Sequence, residues 1–271
     1  MSVLNVKAAV IDLDGTLLTS SKRITDRTRE ALAAAKDRGL HLIFATARPP
    51  RAVAFEQMDL SALGSVVYYN GALFECCVSK QSFHYPINRE LAAEVMDYCL
   101  LLDPAAALSI EVMNSWYSFR PLDYSRTTKA KEPPSVIERN ALQSLDCTKI
   151  LIEYFDQVDS LYAKYGHLLN ILVTDEGALV QIMAASVSKE AAVRQLCLNL
   201  GIVMEEVMCF GDDYNDLGLF RECGYAVAMG NAAPALKQAA SEITDTNDRE
   251  GVALVLERWL SEAAVIERGG M

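Results

Sequence analysis

A short apolar run beginning at Val6 ends abruptly in the acidic turn Asp12-Leu13-Asp14-Gly15-Thr16, and few folds accommodate such a join. Apolar, β-branched residues over this length predict a buried strand, and the glycine that follows predicts a tight turn. The pattern returns near the other end of the chain, where Val207–Phe210 runs into Gly211-Asp212-Asp213-Tyr214-Asn215-Asp216. Burying carboxylates at a strand end is costly unless something compensates their charge. A lone D-x-D or G-D-D is ordinarily a turn with solvated acids. Two of them in matching strand-end settings ask for a different explanation.

The stretches between and around them supply the fold class. Helical patterning at Thr25–Arg38 stops at Gly39, and His41–Ala45 reads as a second buried strand. A helix through about Leu60 and a strand at Val66–Tyr69 follow. The same grammar resumes with a helix at Lys189–Leu200, a helix at Tyr214–Arg221, a strand at Tyr225–Met229 and an amphipathic helix at Val252–Ala264. Strands alternating with helices predict parallel pairing and an α/β, Rossmann-like core. Residues 83–183 differ in texture, with strand-like pieces at Leu108–Val112, Trp116–Phe119, Ile150–Tyr154, Leu169–Val173 and Leu179–Met183. Helical stretches at Arg89–Leu102 and Val158–Tyr165 separate them. The expected organisation is therefore a core from 1–82 and 184–271, with an α+β domain at 83–183 inserted into it.

In an open α/β sheet, ligands sit beyond the carboxyl ends of the strands, which is where both acidic turns fall. Brought together, like charges about 4 Å apart repel by roughly 4 kcal/mol at an effective dielectric of 20. Such a site calls for a hard cation, and an all-oxygen ligand set suits Mg²⁺ better than zinc. Two further residues belong to the same sheet edge by position. Thr46 directly follows the strand His41–Ala45, and its hydroxyl can donate to a phosphate oxygen. Lys189 opens a helix after Ser188, offering a cation where anions are already favoured.

Asp12-Leu13-Asp14-Gly15-Thr16, Thr46 in Ala45-Thr46-Ala47-Arg48, Lys189 in Val187-Ser188-Lys189-Glu190 and the acidic run 211–216 together resemble the four motifs of the haloacid dehalogenase superfamily. Asn70-Gly71-Ala72, Met229-Gly230-Asn231-Ala232 and Asn247 through Val252 resemble its Cof-type sugar-phosphatase branch, which carries a large α/β cap between the second and third motifs. The resemblance implies Asp12 as nucleophile and Asp14 as general acid and base. It implies Thr46, Lys189 and Asn215 as phosphate-binding residues. Mg²⁺ would be held by Asp12, the backbone carbonyl of Asp14 and Asp212, with Asp216 and Asn215 supporting the metal's waters and orienting Lys189 or the phosphate. Three departures stand out: Ala47 replaces a usual glycine, and Ser186 and Glu190 flank the lysine where glycines are usual.

The implied activity is hydrolysis of small phosphorylated metabolites through an aspartyl-phosphate. The alternatives are a phosphomutase and a silent binder of metal and phosphoryl ligand. Kinase and dehydrogenase readings lack their Gly-rich motifs. The formal charge of −11, from 25 basic and 36 acidic residues, argues against nucleic acid and anionic membrane as partners. Seven scattered cysteines without a C-x-x-C pair fit neither a disulfide framework nor zinc, and with no evident targeting segment the expected location is cytoplasmic. In the inserted region, Arg120, Arg126, Lys129 and Lys131 form a basic cluster that could grip a second anionic group. Trp116 and Tyr117 could stack on a ring or belong to the core, and His41, His84 and His167 read as structural.

Overall fold

A computed structural model describes residues 6–53, 58–122, 132–174 and 177–269. The chain runs β1 (Ala8–Asp12), α1 (Asp26–Asp37), β2 (His41–Ala45), α2 (Leu60–Leu63), β3 (Ser65–Tyr68), β4 (Leu73–Glu75) and β5 (Ser82–His84). It continues through α3 (Arg89–Leu102), β6 (Ala107–Val112), β7 (Ser115–Ser118), β8 (Ser135–Val136), α4 (Arg139–Gln143), β9 (Lys149–Glu153), α5 (Val158–Tyr165), β10 (Leu169–Thr174) and β11 (Leu179–Ala184). The last part is α6 (Lys189–Leu200), β12 (Val207–Gly211), α7 (Leu217–Glu222), β13 (Tyr225–Ala228), α8 (Pro234–Ala239), β14 (Glu242–Ile243) and α9 (Gly251–Gly269). Two compact units result. The first comprises residues up to Arg48, Ala52–Ser82 and the chain from Ser188 onward; the second comprises Pro49–Arg51 and Phe83–Val187.

The first unit is built on one sheet in the order β14-β13-β12-β1-β2-β3-β4, with β5 at its edge. Every pair from β14 to β3 is parallel, and β4 turns back antiparallel on β3. All five residues of β1 are buried, and so are all five of β12, which is why both read as continuous apolar runs rather than alternating ones. Register does the positioning. Ile11 lies opposite Phe210 on one side and Asp12 opposite Ala45 on the other. The residues that follow, 12–16, 46 and 211–216, are therefore set down at one end of the sheet.

Two expected helices are corrected. After β2, the described residues hold no long helix up to Leu60: Pro50–Ala52 form a single 3₁₀ turn and α2 spans Leu60–Leu63, while 54–57 lie outside the described residues. Two consecutive prolines, Pro49 and Pro50, withdraw backbone donors there. Tyr214–Asp216 is also a 3₁₀ turn, with α7 starting at Leu217. The Asp216 carboxylate accepts from the backbone N–H groups of Asp212 and Asp213, closing that turn on itself.

The second unit is a sheet ordered β10-β11-β9-β6-β7-β8, antiparallel except for the short β7–β8 pair. Period-two alternation sorts its side chains. Leu108, Ile110, Ile150, Ile152, Val180 and Ile182 meet the apolar sides of α3 and α5 on one face. The other face carries Trp116, Leu151 and Leu179 beside the buried polar residues Glu111, Lys149 and Gln181. Among the described residues, no helix is long and apolar enough to cross a membrane. All seven cysteines are free thiols.

Candidate active site

At the carboxyl end of β1 the chain turns at once. Leu17 N–H bonds to Asp12 O at 3.1 Å and Leu18 N–H to Leu13 O at 2.8 Å. Gly15 supplies the left-handed φ of +82° that this turn requires. A Cβ on it would lie 2.1 Å from Asp212 Oδ2, so the glycine also permits the two acidic loops to approach. Thr16 closes the gap from its side, donating through Oγ1 to Asp212 Oδ1 at 2.9 Å.

Lys189 is the centre of the charge arrangement. It opens α6, whose N-cap Ser188 accepts from Ala191 N–H. Its ammonium donates to Asp12 Oδ1 at 2.6 Å and to Asp216 Oδ1 at 2.7 Å, fully shielded from solvent. Burial alone would favour the neutral amine, but the two carboxylates outweigh it and hold the lysine charged. Burial pushes Asp12 well above the ordinary carboxylate range, opposed by Lys189 and reinforced by Asp216. Asp212 is pushed up to about 6, first by burial, with Thr16 opposing and Asp216 adding to the rise.

One oxygen from each of Asp12, Asp212 and Asp216 lies within 4.8 Å of the others. This donor set fits a small hard cation: it is all-oxygen and largely buried, and Asp12 and Asp212 are both held above the ordinary carboxylate range. Asp12 and Asp212 are among the expected metal ligands, and Asp216, expected behind them, contributes an oxygen to the same cluster.

Asp14 faces elsewhere. Its carboxylate accepts from Arg48 Nε and Nη2, both at 2.6 Å, and from Lys22 Nζ at 2.7 Å. Burial raises its pKa, but the arginine and lysine together bring it below the ordinary value. Thr46 is buried, and its hydroxyl accepts from Arg48 N–H at 3.1 Å. The Asn215 amide donates to Asn70 Oδ1 at 3.1 Å, and Asn70 holds a left-handed φ of 55° in the turn after β3. Sequence reasoning missed Arg48, Lys22 and Thr16 as site residues. Arg48 stood inside the quoted Thr46 motif, but a single loop arginine carries no periodic signal.

The departures from the family pattern cause no local strain. Ala47 and Ser186 are not among the residues of positive φ, and Glu190 lies in the regular first turn of α6. In the second unit, Arg120 is engaged internally, donating to the carbonyls of Pro104 and Ala106. Arg126, Lys129 and Lys131 lie outside the described residues. Trp116 is buried, with Nε1 donating to Ser109 Oγ at 2.9 Å, whereas Tyr117 is half-buried. His84 pairs with Thr148 at 2.9 Å.

The family model for haloacid dehalogenase-like hydrolases matches residues 9–256. The chain belongs to that family, in its Cof-type branch, and is an enzyme of the phosphatase class. It is similar to the Bacillus subtilis protein YxeH, at 32% identity over 91% of this chain and 96% of that one. It is also similar to the Bacillus subtilis 5-amino-6-(5-phospho-D-ribitylamino)uracil phosphatase YcsE, at 26% identity over 94% of this chain and 96% of the relative. Among solved structures, a haloacid dehalogenase-like hydrolase from Bacteroides thetaiotaomicron superposes with a TM-score of 0.80 at 27% identity, over 93% of this chain and 99% of that one.

Proposed function

We propose that the protein is a Mg²⁺-dependent phosphomonoesterase that hydrolyses small phosphorylated metabolites, sugar phosphates or close relatives, with Asp12 as covalent nucleophile. The observation carrying this reading is the Lys189 ammonium set between Asp12 and Asp216 beside Asp212. A carboxylate attacks a phosphate dianion only where its own charge and that of the phosphoryl oxygens are neutralised.

Asp12, Asp212 and the Asp14 carbonyl would hold the ion, and Mg²⁺, when bound, supplies charge neutralisation for the phosphoryl oxygens. Lys189 fixes Asp12 through Oδ1, which assigns attack to Oδ2. The Asp12 Oδ2–phosphorus bond forms as the bond from phosphorus to the leaving oxygen breaks, with Thr46 and Lys189 binding the equatorial oxygens. Asp14 delivers a proton to the departing alkoxide, then removes one from the water that cleaves the aspartyl-phosphate. Arg48 and Lys22 must loosen their hold for the first of these steps, since they stabilise Asp14 as an anion.

The second unit would read the leaving group. Its polar sheet face pairs its charges internally: Arg51 pairs with Glu111 at 2.6 Å, and Lys149 donates to Gln181 at 3.1 Å. Burial, partly offset by Glu111 and reinforced by Arg51, pulls Lys149 down to about 8. The relative YcsE is named for a phosphoribityl substrate, which puts polyol phosphates among the first to try.

The test is phosphate release from a panel of sugar, polyol, nucleotide and aryl phosphates, with Mg²⁺ and with chelator. Metal-dependent turnover that favours polyol phosphates supports the reading. Folded, Mg²⁺-binding protein without turnover on any of them contradicts it.

A further inference from the structure

The loop from Leu13 to Arg23 carries Asp14 and Lys22, yet it holds itself with few bonds of its own. Beyond its first turn these centre on Thr19: its N–H donates to Arg23 O at 3.0 Å, its O accepts from Lys22 N–H at 2.8 Å, and its hydroxyl bonds Arg23 O at 3.1 Å, Arg23 N–H at 3.2 Å and Ser21 Oγ at 2.9 Å. Thr16 bonds to Asp212 and Arg48 grips Asp14, and a further hold comes from side chains over two hundred residues later. Asn231 Nδ2 donates to Gly15 O at 2.8 Å, and Asn247 Nδ2 donates to Leu18 O at 2.8 Å. The Asp248 carboxylate accepts from Ser20 N–H at 2.7 Å and from the Ser20 hydroxyl. Asn231 and Asn247 are joined to each other, Asn247 N–H donating to Asn231 Oδ1 at 3.0 Å.

The segment bearing Asn231 also holds the second acidic loop. Met229 N–H donates to Gly211 O at 3.1 Å and Ala233 N–H to Asp212 O at 2.8 Å. Residues 229–233 thus bracket both loops, bonding Gly15 with a side chain and Gly211 and Asp212 with backbone. The arrangement touches no reacting atom. What it fixes is where the Asp14 loop lies relative to Asp212.

We infer that Asn231, Asn247 and Asp248 are positioning residues that hold the Asp14 loop where its carboxyl reaches the leaving oxygen, an inference that rests on the proposed phosphatase mechanism. Asn231 and Asp248 are exposed, so water replaces much of what truncation removes and the fold persists. Placement is less forgiving: a misplacement of about 1 Å costs on the order of 100-fold in rate.

Leaving-group dependence separates placement from general damage. An alkyl sugar phosphate needs its alkoxide protonated, whereas p-nitrophenolate leaves unprotonated. Because Asp14 also serves the water step that both substrates share, the readout is the first chemical step, leaving-group release in a single turnover: Asn231→Ala and Asn247→Ala are expected to slow it on a sugar phosphate by about 10- to 100-fold, and on p-nitrophenyl phosphate by no more than about threefold. Asp14→Asn is the control and should show the same selectivity more strongly. If Asp14→Asn is selective but the asparagine variants slow both substrates equally, or neither, the positioning role is overturned while the mechanism stands. Loss of selectivity in Asp14→Asn itself overturns the acid assignment and this inference with it. Should the asparagine variants fail to fold, Asp248→Ala, which releases only Ser20, decides by the same criterion.

Discussion

Arg48 clamps Asp14 in a fork, Nε to Oδ2 and Nη2 to Oδ1, each at 2.6 Å. Because this holds Asp14 below its ordinary value of 3.8, folding is favoured above that pH, and the contribution is lost as pH falls through the lower folded-state value. Denaturant titrations of metal-free protein should therefore show Arg48→Ala less stable than wild type at neutral pH, with the gap closing in acid below 3.8. A gap that stays constant with pH would show that Arg48 stabilises by packing alone.

Asp212 has the opposite sign. Its folded-state value is pushed up to about 6 from 3.8, so the folded apo protein holds this proton more tightly than the unfolded chain does. Stability should fall as pH rises from about 3.8 to about 6, and Asp212→Asn should flatten that decline. Mg²⁺ should then raise the melting temperature of wild type and not of Asp212→Asn. Parallel apo pH profiles for the two proteins would contradict this.

Asp12→Asn should leave the apo fold intact or raise its melting temperature. It removes one of three crowded carboxylates, and Lys189 keeps its 2.7 Å bond to Asp216, so no buried cation is stranded. A clear fall in apo melting temperature would refute the claim that these charges repel.

Gly15→Ala places a methyl group 2.1 Å from an Asp212 oxygen and forces alanine to a φ of +82°. One loop must move, and turnover should fall by about 100-fold or more. Activity within a few-fold of wild type would mean that the spacing of these loops is not what sets the site.

How much of this was legible follows from what each residue leaves in a sequence. The β1 and β12 strand ends showed because buried parallel strands read as unbroken apolar runs, and an acidic turn after one is conspicuous. The family resemblance offered Asp216 as a residue orienting Lys189, but not the 2.7 Å bond itself, which depends on how α6 meets the turn after β12. Short elements such as β14 and α8 lack enough residues to show a period. Arg48 and the Asn231–Asn247 link were invisible as partners because loop side chains find each other only after the sheet has set its register.

The most direct test of the central claim is to stop the reaction with acid during turnover of a good substrate and look for phosphoryl adducts by peptide mass spectrometry. The account predicts a phosphoryl group on the peptide carrying Asp12, dependent on Mg²⁺ and absent in Asp12→Asn. Steady turnover with no adduct at Asp12, or an adduct that survives Asp12→Asn, would contradict it.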